Sequence, residues 1–80
     1  MPEIHRFNAK VKVCMYPDHA PPHFHLRGPG WSAMINLRTL TVMRGEEETP
    51  KKEIKRVVEW AKANRRFLRQ EWERLNERDD

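Results

Sequence analysis

FHLRGPGWSAMINL, residues 24–37, is the stretch on which the fold turns. Phe24 and Leu26 alternate with His23, His25 and Arg27, the period of two that marks a strand with one face turned inward. Gly28-Pro29-Gly30 is a strong turn signal. The alternation resumes beyond it, with Trp31, Ala33, Ile35 and Leu37 set against Ser32, Met34 and Asn36. Strand, turn and strand make an antiparallel hairpin.

Upstream, Phe7, Ala9, Val11, Val13 and Met15 alternate with Asn8, Lys10, Lys12, Cys14 and Tyr16, which reads as one further strand. Pro17, Asp18 and the Pro21-Pro22 pair end it. Downstream, a short run from Leu40 to Met43 stops near Gly45. The expectation is an antiparallel meander of three to four strands over about residues 5–45. With Val11, Val13, Phe24, Leu26, Ala33 and Ile35 inward, the pleat assigns the opposite face to Lys10, Lys12, Cys14, Tyr16, His23, His25, Arg27, Ser32, Met34 and Asn36. An antiparallel sheet can leave such a face to water or use it to bind.

The remaining sequence changes period. Thr49 suits an N-cap and Pro50 the first helical position, with Glu46, Glu47 and Glu48 near the positive end of the helix dipole. Ile54, Val57, Val58, Ala61, Leu68, Trp72 and Leu75 then share one helical face, with Arg65 filling the gap in the stripe. The expected helix covers about residues 50–77. At 1.5 Å per residue it spans about 40 Å, against about 20 Å for a six-residue strand. It must overshoot the sheet or bend, and Asn64 is the place for a break. A straight helix would leave Leu68, Trp72 and Leu75 in need of a partner. Trp60 and Phe67 lie on a separate side, either covering a sheet edge or the Trp31 turn, or forming an aromatic ledge. Self-association through Trp60, Phe67, Leu68 and Trp72 is the dimer this pattern allows. The class is α+β, in a single domain covering residues 1–80.

Composition narrows the function. A charged fraction of 35%, with both signs present, describes a globule rather than a disordered tail. No apolar run is long enough to span a bilayer, no apolar signal region opens the chain, and the lone Cys14 cannot form an internal disulfide. The expectation is a cytoplasmic protein that does not enter a membrane. The net charge of +4 arises wholly in residues 1–45, where six basic residues face two acidic ones, whereas residues 46–80 carry ten of each. That asymmetry suits an anionic partner, although +4 is also ordinary surface charge.

Three of the four histidines fall in Asp18–Trp31. His23 and His25, two apart on a strand, project to one face. The double proline fixes two φ angles, making a stiff corner that would hold His19 against His23. Three imidazoles and a carboxylate suit zinc, so His19, His23, His25 and Asp18 are candidate metal ligands, although no CxxC or HExxH spacing is present. No cofactor is expected beyond this one candidate. The same three histidines are candidate catalytic groups, because a neutral and a protonated imidazole can share proton transfers near neutral pH. RNA would supply its own 2′-hydroxyl nucleophile. Lys10, Lys12, Tyr16, Asp18, Arg27 and Trp31 are the candidate binding residues, the cations for phosphate and the aromatics for stacking. No RNP, KH or helix-turn-helix pattern accompanies them. The bland account is a solvated strand and a proline-shaped corner. It is the better account of each histidine alone, and clustering raises the functional odds for the group.

MPEIHRF at the start, YPDHAPPHFHLR in the middle and VVEWAKANRRFLRQEWE near the end together resemble the small bacterial proteins grouped as domain of unknown function family 4160. The most specific element is D-H-x-P-P-H-F-H, present as Asp18, His19, Ala20, Pro21, Pro22, His23, Phe24 and His25. Glu59-Trp60 and Glu71-Trp72 also match. The resemblance implies a short sheet followed by a C-terminal helix, and a gene often paired with that of another small protein in the manner of a toxin–antitoxin module. It carries over no established enzymatic activity, and leaves the role of Asp18, His19, Pro22, His23 and His25 open. Arg6 and Lys10 add charge where that family is often more apolar. The functional expectation is therefore a small intracellular protein that works through a partner encoded nearby, with the histidine corner as its surface. The alternative is an RNA-directed or metal-dependent small hydrolase using the same corner.

Overall fold

The hairpin at the centre of the sequence forms as its alternation requires. In a computed structural model, which describes residues 3–19 and 21–76, His23–Gly28 pairs with Trp31–Asn36 in unbroken antiparallel register. Pro29 followed by Gly30 at φ +74° is the combination of a type II turn, in which the third residue needs a positive φ. The Trp31 ring lies across Gly28, so close that a Cβ there would fall 2.1 Å from it.

Among the described residues five strands form the sheet, not three or four: β1 (Glu3–Arg6), β2 (Lys12–Cys14), β3 (His23–Gly28), β4 (Trp31–Asn36) and β5 (Val42–Arg44). They lie side by side in chain order, each antiparallel to the next, as a meander does. The extra strand, β1, lies upstream of the alternating run over residues 7–16, and that run itself keeps only a short strand because its first part is a turn. Asn8 accepts hydrogen bonds at Oδ1 from the Lys10 and Val11 amides, at 2.8 and 3.0 Å, and the Phe7 amide donates to the Val11 carbonyl. This side-chain turn reverses the chain inside the run. Only Lys12–Cys14 remains a strand there, and β1 pairs back onto it.

The single long helix is also two. Helix α1 spans Lys51–Ala63 and α2 spans Arg65–Leu75, divided at Asn64 (φ −128°, ψ 29°), the place marked for a break if the helix were to bend rather than overshoot. The Asn64 amide proton is diverted to the Ala61 carbonyl, and its side-chain Nδ2 donates instead to the Trp60 carbonyl at 2.8 Å. Asn76 closes α2 with the same bond, from Nδ2 to the Trp72 carbonyl at 2.9 Å. Each helix thus ends in Glu-Trp-x-x-x-Asn, at residues 59–64 and 71–76. Residue 77, the expected helix end, and Ala20 of the proline corner lie outside the described residues.

Thr49 does not cap α1. Pro50 occupies the N-cap, its carbonyl accepting from the Glu53 and Ile54 amides. The buried Thr49 hydroxyl instead donates to the Gly45 carbonyl at 2.7 Å, with the Ser32 carbonyl at 3.2 Å. Gly45 (φ +83°) packs so tightly on β4 that a Cβ would come within 2.1 Å of the Ser32 oxygen. Thr49 therefore clamps the approach to α1 onto the sheet.

One core holds the elements together. Val11, Val13, Met15, Phe24, Leu26, Ile35, Leu37 and Leu40 from the sheet layer enclose Val57, Ala61 and Leu68 from the helices. The bend at Asn64 is what lets Leu68 join: it is fully buried, so the second half of the stripe finds cover within its own chain. Trp60 stacks on His5 at 4.5 Å and meets Phe7 edge-on, covering the β1 edge. Phe67 remains exposed. Of the four residues expected to carry self-association, Leu68 is thus enclosed and Trp60 and Trp72 are partly so.

Candidate functional site

Both helices bury their apolar stripe against the Val13–Leu26–Ile35 side of the sheet, so the pleat turns the opposite residues outward. Cross-strand pairing arranges these in rows. Arg6, Lys12, Arg27 and Ser32 form one, and Cys14, His25, Met34 and Arg44 form the next. The expected outward face exists, with two corrections. Cys14 is buried, since a short side chain between Glu3 and His25 on its row is overtopped by longer neighbours. His23 is buried too, because α2 and the Asp18 corner close over the end of β3.

His23 is the most constrained group of the corner. Its Nδ1 lies 2.8 Å from the Pro21 carbonyl, which can only accept, so Nδ1 carries a proton. Its Nε2 lies 3.3 Å from Asp18 Oδ2, out of line for a hydrogen bond, and is buried without a partner among the described residues. The Trp72 ring packs 5.3 Å from the imidazole, and His25 meets it edge-on at 5.4 Å. A ring nitrogen fixed as donor leaves the other free to act as base or ligand, the arrangement that orients functional histidines.

Asp18 is exposed but held in place. Its amide donates to Asn76 Oδ1 at 3.0 Å, tying the corner to the end of α2, and its Oδ1 accepts from the His19 amide at 2.8 Å. That backbone bond, with the positive character of His23 and His19 adding to it, holds its carboxyl below the usual carboxylate range. His25 is half-buried. Burial lowers its affinity for a proton, and the charges of His23 and Arg27 act in the same direction while Asp18 opposes them. Tyr16 meets His25 edge-on at 5.1 Å, and Arg27 stands 5.8 Å from the Tyr16 ring.

The corner therefore brings together Asp18, His23, His25, Tyr16 and Arg27. His19 is exposed, and its backbone amide donates to Asp18; among the described residues its side chain makes no hydrogen bond or ion pair. Among the described residues no three His, Cys, Asp or Glu side chains converge as metal ligands would. Lys12 lies on the outward face, Lys10 at the exposed β1–β2 turn, and Trp31 on the core side over Gly28. A shallow depression of about 320 Å³ beside His25 and Arg27 adds Met34, Arg44 and Glu48, whose Oε2 accepts from the Ser32 amide. Arg44, Glu48, Trp72 and Asn76 were absent from the sequence-based site. Trp72 was marked only by the helical stripe, the self-association pattern and the second Glu-Trp pair, none of which pointed to the histidine corner.

The family model described as Domain of unknown function (DUF4160) matches residues 11–73. The chain belongs to the DUF4160 family. The matched span runs from β2 through most of α2 and so contains the whole corner, while MPEIHRF and β1 lie outside it. No curated protein and no solved structure matches the chain. In DUF4160 terms, the matched segment is the unit that holds Asp18, His23 and His25 against Trp72. Among the described residues no helix is long and apolar enough to cross a membrane.

Proposed function

We propose that this DUF4160 protein acts through a small acidic partner protein, as one half of a cytoplasmic toxin–antitoxin-like pair, and that the open sheet face with its histidine corner is the surface that binds it. The observation that supports this reading is the one-sidedness of the sheet. Helices cover one face, while Lys12, Arg27, Arg44, His25 and Met34 remain at least partly open on the other. Arginine forks recognise carboxylates bidentately, and Met34 and Tyr16 add apolar area between the charges. Aromatic residues, Met and Arg are the types enriched at interface cores.

The test is co-expression with the small protein encoded beside it, one of the two carrying a tag. The expected result is a stoichiometric complex. Its affinity falls about tenfold or more in the Arg27→Glu/Arg44→Glu variant, with circular dichroism and melting temperature retained. A wild-type chain that recovers no partner, or a complex indifferent to the double charge reversal, overturns the reading.

One observation favours a second reading, RNA-directed acid–base chemistry at the same corner: the oriented His23 ring holds its Nε2 3.3 Å from the Asp18 carboxylate, beside a His25 whose burial disfavours its charged form. It expects RNA cleavage by the wild type that His25→Ala abolishes while partner binding persists. Intact RNA after prolonged incubation with the wild type rejects it.

A further inference from the structure

A second cationic feature stands apart from the histidine corner. Where the β4–β5 turn meets the start of α2, Leu37, Arg38, Arg65, Arg66 and Arg69 line a depression of about 420 Å³. Four of these five residues are arginines. Among the described residues none of the four joins an ion pair, although both helices carry carboxylates. Glu53 is bridged to Arg56, Glu59 to Lys62 and Glu71 to Arg74. Three of the four helix carboxylates are thus engaged elsewhere, and the fourth, Glu73, four residues beyond Arg69, joins no ion pair among the described residues, so the arginines that line the hollow are left without a bridged counter-charge.

The arrangement is unfavourable for the fold itself. Arg65 and Arg69 are four apart on the helix, and Arg66 and Arg69 three apart, the spacings at which like charges repel. Among the described residues the one hydrogen bond made by these guanidiniums, from Arg65 Nη1 to the Arg38 carbonyl at 3.2 Å, draws two arginines together rather than apart. It also pins one guanidinium at the rim with nitrogens to spare. The buried Leu37 gives the hollow an apolar, unyielding wall. Local rules broken without internal compensation mark functional positions.

We propose that this depression binds a compact polyphosphate group, of the kind carried by nucleotides and by triphosphorylated RNA ends. Guanidinium forks match phosphate oxygens in pairs. A hollow of this volume falls within the range of small-ligand pockets rather than flat protein interfaces. The site is independent of the partner reading, since none of its residues belongs to the outward sheet face.

Titration with inorganic tripolyphosphate at low salt tests it. The expected result is one-to-one binding that weakens about tenfold or more in Arg66→Gln/Arg69→Gln and is unaffected by Arg27→Gln/Arg44→Gln on the sheet face. In the unaltered protein, the guanidinium Nε resonances of Arg65, Arg66 and Arg69 should shift on titration, a readout that needs no variant to fold. ATP competing as well as tripolyphosphate identifies a nucleotide as the source, and competition by 5′-triphosphorylated RNA alone identifies an RNA end. Absence of binding at millimolar tripolyphosphate, resonance shifts confined to other arginines, or equal weakening by both pairs of substitutions overturns the proposal.

Discussion

His23 and His25 stand two residues apart and answer to different surroundings. His23 is enclosed by the Asp18 corner and Trp72, whereas His25 is half-buried, with burial first and then its cationic neighbours lowering its proton affinity. In the unfolded chain the same ring titrates near 6.5. Between the lower folded value and the unfolded one, the unfolded state binds more protons. Stability therefore rises with pH across that window and falls as the solution is acidified through it. Thermal melts stepped down from pH 7.5 should show a falling midpoint, and His25→Asn should flatten that slope. An unaltered slope would show that His25 is not the group responsible. Asp18 acts lower on the scale. Its depressed carboxyl contributes stability above its unfolded value, near 3.9, and that contribution is lost as pH falls through the folded value. The shared face of the two histidines was legible from their spacing. Their unequal burial was not, because the cover over His23 comes from α2, which no local pattern in residues 18–31 describes.

Among the elements, asparagine does the punctuation. The chain has four, and each ends or turns something. Asn8 closes the β1–β2 turn, Asn36 accepts from the Arg38 and Thr39 amides in the β4–β5 turn, Asn64 divides the helices, and Asn76 ends α2 while holding Asp18. Length alone left two outcomes, an overshoot or a bend, and marked Asn64 as the place for the second; it could not choose between them, because the choice depends on whether Leu68 finds cover within the chain. The turn at Asn8 was not legible, because Phe7 and Ala9 continue the apolar alternation on both sides of it and conceal the reversal. Asn64→Ala tests how much the break depends on its side chain. Alanine favours a continuous helix and removes the donor to the Trp60 carbonyl. Because the bend is needed to bring Leu68 into the core, the variant should lose about 0.5–1.5 kcal/mol in urea unfolding, the net worth of one such bond, with helix content unchanged. A gain in stability would mean that the core accepts a straight helix.

At the scale of the whole molecule, a single core serves a sheet that is covered on one side only. That economy leaves the outward face free to bind. It also makes each helix–sheet contact a large share of a small total, about 4–12 kcal/mol for a chain of this length. Class, strand alternation and the apolar stripe of the helix were all legible, because they follow from periodicity. Strand number and the site's outer residues were not, because they depend on where distant segments return. Leu68 is the test of the arrangement, as the one fully buried residue of α2. Its replacement by alanine should cost about 2–5 kcal/mol, as removal of enclosed leucines does. If sheet and both helices share one core, unfolding of the wild type followed by tryptophan fluorescence and by far-ultraviolet dichroism should coincide in a single transition. The Leu68→Ala curves should coincide as well, at a lower midpoint. Fluorescence that moves first, with Trp72 released while the remaining dichroism persists, would make α2 a separately detachable cover. The histidine corner, held by Trp72 and Asn76, would then open with that helix rather than with the fold.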